Sequence, residues 1–153
     1  MFKLKKPALG FVFTVAAAVF SVVALALFIT TYNVGGYTLS RWALTCTVIA
    51  LWLLICLAAN AFAFGDKPVW GGVVYALCAF LLIYGFMQFI QPCLTPIGFI
   101  FGAGDLNMGD TALNKIVAER SIVTAVFYVL AVAFTVAASF CSAENKTAAR
   151  REG

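Results

Sequence analysis

Four stretches of this chain, residues 9–31, 42–64, 69–90 and 121–141, are each long enough to cross a bilayer and contain no Asp, Glu, Lys, Arg or His. A hydrocarbon core about 30 Å thick is crossed by roughly 20 helical residues. Backbone groups in lipid must find hydrogen bonds within their own structure, so the four runs are read as helices. The rest of the composition agrees: 64% of the 153 residues are hydrophobic and 10% are charged, against about 25% charged in ordinary soluble domains. The expected class is all-α and polytopic. Residues 1–143 would form one antiparallel bundle of four transmembrane helices, and residues 144–153 a basic tail.

Lys3, Lys5 and Lys6 ahead of the first run also resemble the start of a secretory signal. The apolar part of such a signal is usually about 7–15 residues. The run from 9 to 31 is longer and is read as a retained span. Basic residues set orientation, because they concentrate on cytoplasmic loops. Lys3, Lys5, Lys6, Lys67, Lys146, Arg150 and Arg151 fall on the side shared by the termini, and Arg41, Lys115 and Arg120 on the other. Both termini are therefore expected in the cytoplasm of a cell-membrane protein. The formal charge of +4 is explained by anionic lipid, which attracts basic tails by about 1 kcal/mol per residue. No nucleic-acid partner is needed.

Residues 91–120 form the one loop segment large enough to build something. Pro92 and Pro96 are expected to end the third helix. The apolar patch that follows, Ile97, Phe99, Ile100 and Phe101, is too short to span and is the candidate interaction surface. The stretch GAGDLNMGD at 102–110 reads as a turn and a helix cap, with Asp105 in the turn and Asp110 as N-cap of a helix starting near Thr111. A calcium loop fits poorly: counting from Asp105, the sixth position is Asp110 instead of glycine and the twelfth is Ile116 instead of glutamate.

The spans hold no ionisable group of the kind that carries protons in transporters. Small multidrug antiporters are four-span proteins of similar size that work through a glutamate in the first span. Here that span offers only Thr14, Ser21, Thr30 and Thr31. A polar path through Thr45, Thr47, Asn60, Tyr75, Tyr84 and Gln88 competes with a plainer reading, hydrogen bonds between helices. The loops lack the cysteine patterns of claudins and tetraspanins. No Cys-x-x-Cys pair supports quinone-linked thiol chemistry. Cys46 and Cys93 lie near the same face and form a candidate disulfide, while Cys56, Cys78 and Cys141 read as packing residues. With no histidine and no clustered cysteines, neither a cofactor nor a metal is expected. Ala131, Thr135 and Ser139 follow a small-xxx-small spacing, Ala16–Ala18 and Gly71–Gly72 permit close approach, and Trp52 is expected to fill the core.

These features lead to the expectation of a non-enzymatic accessory or interaction subunit. Its partners would be the lipid bilayer and another membrane protein, met through the outer segment or helix four. A small transporter or channel acting as an oligomer is the alternative, and a membrane-embedded thiol or lipid enzyme the third reading.

Overall fold

The computed structural model describes residues 9–32, 41–64, 70–102 and 111–151, all helical except Trp70. The helices are α1 (Leu9–Tyr32), α2 (Arg41–Phe64), α3 (Gly71–Gly102) and α4 (Thr111–Arg151). Each holds a segment long and apolar enough to cross a membrane: Leu9–Thr31, Arg41–Ala61, Gly71–Gly98 and Lys115–Cys141. This is an all-helical chain compatible with a multi-pass membrane protein. α1 packs against α2 and α4, and α3 against the same two helices; α1 and α3 lie on one diagonal, α2 and α4 on the other.

Lipid is as apolar as leucine, so no hydrophobic force drives such helices together; close packing and hydrogen bonds must do it. The buried stripe of each helix shows how. On α1 it runs Gly10, Thr14, Ala17, Ser21, Ala24, Phe28, Thr31, and on α4 it runs Val117, Ser121, Thr124, Tyr128, Ala131, Thr135, Ala138. Steps of three and four alternate, the 3.5-residue repeat of a left-handed supercoil. The same alternation gives Ala43, Thr47, Ala50, Leu54 and Leu57 on α2, and Gly71, Tyr75, Cys78, Leu82, Gly85 and Phe89 on α3. Most of these residues are small, which lets the backbones approach. Larger side chains fill selected levels: Phe13 meets Phe134, and Phe20 meets both Phe127 and Phe134, along the α1–α4 seam.

Three expectations change. Pro92 and Pro96 do not end the third helix, which continues to Gly102 with both prolines inside it. Each proline removes one N–H, but a backbone in an apolar setting has no water to turn to, and neighbouring helices hold a proline-containing helix together. Pro96 is fully buried against them.

Trp52 does not fill the core; it is 67% exposed and points outward. Two residues are a rotation of about 200° on a helix, so Trp52 lies opposite the stripe through Ala50 and Leu54. The small stripe leaves no room at that level for an indole.

The close-approach motif on α4 is Ala131, Thr135 and Ala138, with Ser139 only half-buried, because the stripe follows 3.5 residues and not every fourth. α4 also continues as helix to Arg151, so residues 144–151 extend it.

Candidate functional site

The polar side chains of the core form two crossed pairs. The hydroxyls of Thr14 on α1 and Tyr75 on α3 lie 2.6 Å apart, and those of Thr47 on α2 and Tyr128 on α4 also lie 2.6 Å apart. All four residues are buried. Each pair links diagonal helices, whose Cα atoms nowhere come within 8 Å among the described residues. A tyrosine is long enough to bridge that gap, and a threonine short enough to receive it.

The direction of each bond follows from the hydrogens. Thr14 Oγ1 also lies 2.7 Å from the Gly10 carbonyl, and Thr47 Oγ1 2.8 Å from the Ala43 carbonyl. A hydroxyl has one hydrogen and two acceptor sites. If threonine donates to its own helix carbonyl, tyrosine donates to threonine, and every hydrogen has an acceptor. The reverse would leave a tyrosine hydrogen unmatched in an apolar core, at a cost of roughly 1–3 kcal/mol.

The remaining buried hydroxyls are satisfied locally. Ser21, Thr31, Ser121, Thr124 and Thr135 each donate to the carbonyl four residues back, at 2.6–2.8 Å. Such bonds allow a polar residue to face an apolar neighbour.

Gly85 of α3 lies beside the second pair. A Cβ there would come 3.0 Å from Thr47 Oγ1 and 3.3 Å from the Ala43 carbonyl oxygen. Glycine is what allows α3 to pass this close to α2. Tyr128 also lies against the rings of Phe86 and Phe89 of α3, both at 5.9 Å. Gly85 is ten residues beyond Tyr75, so the two pairs stand at levels about 15 Å apart.

Near the end away from the termini, the guanidinium of Arg120 on α4 donates to the Thr30 carbonyl of α1 at 3.4 Å. A cation suits the last carbonyls of a helix, where the dipole is negative. Nothing in the local sequence announces this contact, which joins residues 90 positions apart.

The sequence-derived candidates are scattered. Thr47 and Tyr75 belong to different pairs; Thr45 and Asn60 are exposed and bond their own helix, and Tyr84 is exposed and stacks on Phe80. Gln88, also on α3, is half-buried. Cys46 and Cys93 are not brought together. Cys46 sits 3.7 Å from the Gly85 Cβ position, eight residues or about 12 Å along α3 from Cys93, beyond the reach of a disulfide. Cys93 instead faces Ser121 of α4, and all five cysteines are free thiols. Ile97 is half-buried and lines an apolar groove between α3 and α4 with Ile90, Ile122 and Val126. Phe99, Ile100 and Phe101 lie in the last turns of α3; their side chains, and Asp105 and Asp110 altogether, fall outside the described residues. Among the described residues, no three His, Cys, Asp or Glu side chains converge.

Comparison with known protein families, curated proteins and solved structures finds no match for the chain. The functional reading rests on its own residues.

Proposed function

We propose that this is a non-enzymatic, multi-pass subunit of the cell membrane, an antiparallel four-helix bundle with cytoplasmic termini, which acts by contact with another membrane protein. The observation that carries this reading is the state of the core's polar groups. Its buried hydroxyls either tie two helices together, as in the two Thr–Tyr pairs, or bond to their own helix, which supports a structural use of these groups over recognition of a solute. The distribution of basic residues supports the orientation.

The partner surface is the end of α3 and the start of α4. Thr14 and Tyr75 are 61 residues apart, as are Phe28 and Phe89, whose rings meet at 5.3 Å. Carrying that offset to Tyr32, the end of α1, brings it level with Cys93. The rest of α3, up to Gly102, extends about 14 Å further and carries Ile97, Phe99, Ile100 and Phe101. A photoreactive side chain at position 100, activated in native membranes, is expected to yield one defined protein adduct. The same group at Val136, exposed on α4, is expected to label lipid only. Lipid adducts alone from position 100 would overturn the assignment of this surface.

A further inference from the structure

Trp52 is the least expected residue on the outward surface. Tryptophan favours the membrane interfaces, and Trp42 and Trp70, at helix ends, fit that rule. Trp52 does not. Thr47 packs on Gly85, Gly85 is level with Ala24 by the α1–α3 offset, and five more residues of α2 bring Trp52 level with Val19. That is the centre of the Leu9–Thr31 span.

Beside Trp52 lies a groove between α1 and α2 with a volume of about 350 Å³, lined by Val15, Ala18, Val22, Leu51, Ile55 and Ala58 among others and without exposed polar atoms. Leu51 immediately precedes Trp52 and Ile55 lies one helical turn beyond it on α2, so a projecting ring and a recess occupy one face at one depth. An isologous two-fold interface requires this combination, since each copy must offer both halves of every contact. An axis along the membrane normal preserves depth and brings each Trp52 to the other copy's groove. Ala18 and Ala58 allow close approach. The exposed apolar residues on and around this face, Val15, Val19, Val22, Val48, Trp52 and Ile55, are each 38–67% exposed. Exposures of that size leave an apolar surface on the order of 500 Å² per copy, the half-share of the roughly 1,000 Å² that marks a specific interface.

We propose that a second copy of this chain covers the α1–α2 face, with each Trp52 indole seated in the other copy's α1–α2 groove. The α3–α4 edge lies on the opposite side and stays free, so this inference stands independently of the partner surface described above.

The test uses the full chain in phosphatidylcholine vesicles, labelled for energy transfer and titrated from high to low protein-to-lipid ratio. Trp52→Ala removes the ring, Ala58→Phe fills the recess, and Phe80→Ala alters an exposed residue on α3. The first two are expected to weaken dimerisation at least about tenfold, as loss of a central tryptophan anchor does; Phe80→Ala leaves it unchanged. Mixing Trp52→Ala chains with Ala58→Phe chains should restore pairing above either alone, because one intact ring then meets one intact groove. That recovery also shows that both variants fold. A wild type that stays monomeric, association indifferent to Trp52→Ala and Ala58→Phe, or no recovery on mixing would each overturn the proposal.

Discussion

Thr14 and Tyr75 join α1 to α3 through a 2.6 Å hydrogen bond, although those two helices have no direct backbone approach among the described residues. Thr47 and Tyr128 do the same for α2 and α4. Apart from the Phe28–Phe89 ring contact between α1 and α3, these pairs are the direct side-chain links between diagonal helices among the described residues. With them, both diagonals are tied, at two depths.

The donor assignment makes an asymmetric prediction. Tyr75→Phe removes a donor and leaves Thr14 bonded to Gly10, so it should cost no more than about 0.6–1.7 kcal/mol, the range for hydrogen bonds between membrane helices. Thr14→Val strands the tyrosine hydroxyl without an acceptor and should cost more, about 1–3 kcal/mol. The double variant should cost less than the sum of the two. Unfolding in detergent measures all three, and additive effects would show that the pair is not coupled.

Gly85→Ala places a methyl group 3.0 Å from Thr47 Oγ1. The expected loss is about 1–3 kcal/mol, typical of overpacking, with most of the strain falling on the Thr47–Tyr128 pair. At Gly72 and Gly98 an added Cβ would meet nothing within 4 Å, so alanine there should be neutral or slightly stabilising through its better helix propensity. Equal losses at all three glycines would contradict the close α2–α3 approach.

Continuity of α3 through its prolines is open to cysteine scanning in a background without native thiols. Leu94, Thr95 and Gly98 are exposed, while Cys93 and Pro96 are buried. A lipid-soluble spin-label probe should therefore report helical periodicity across positions 93–98. A smooth profile, without that alternation, would indicate that the helix ends at Pro92.

Orientation is tested by the same single-cysteine approach. Cysteines at positions 35 and 105 should react with an impermeant maleimide added outside intact cells, and one at position 66 only after permeabilisation. The reverse pattern would invert the topology.

The extent to which the structure is legible in the sequence follows from what lipid does to the usual signals. The four helices are plain, because length without charge is decisive in a bilayer. Their inward faces are not, since lipid-facing and core-facing residues are equally apolar and hydrophobic periodicity vanishes. The surviving signal is size. Thr14, Ala17, Ser21 and Ala24, or Thr124, Ala131, Thr135 and Ala138, mark the buried stripes by small side chains at a 3.5-residue repeat. That repeat, followed along each helix, puts Tyr75 and Tyr128 inside and Trp52 outside, since Trp52 falls opposite Ala50 and Leu54. The rule that proline ends a helix belongs to water, and Pro92 and Pro96 lie in a helix supported by its neighbours. The Arg120–Thr30 contact depends on tertiary placement that no local pattern records.

In the proposed function, the core's polar groups tie helices together or bond within their own helix, and do not conduct a solute. The decisive measurement is proton-driven uptake into vesicles reconstituted with the purified protein, using a panel of cationic and zwitterionic solutes with protein-free vesicles as reference. Fluxes equal to the reference are expected, because no ionisable carboxylate, amine, guanidinium or imidazole lies within residues 9–31, 42–64, 69–90 or 121–141. Saturable flux abolished by Tyr128→Phe or Thr47→Val, in protein that remains folded, would contradict it.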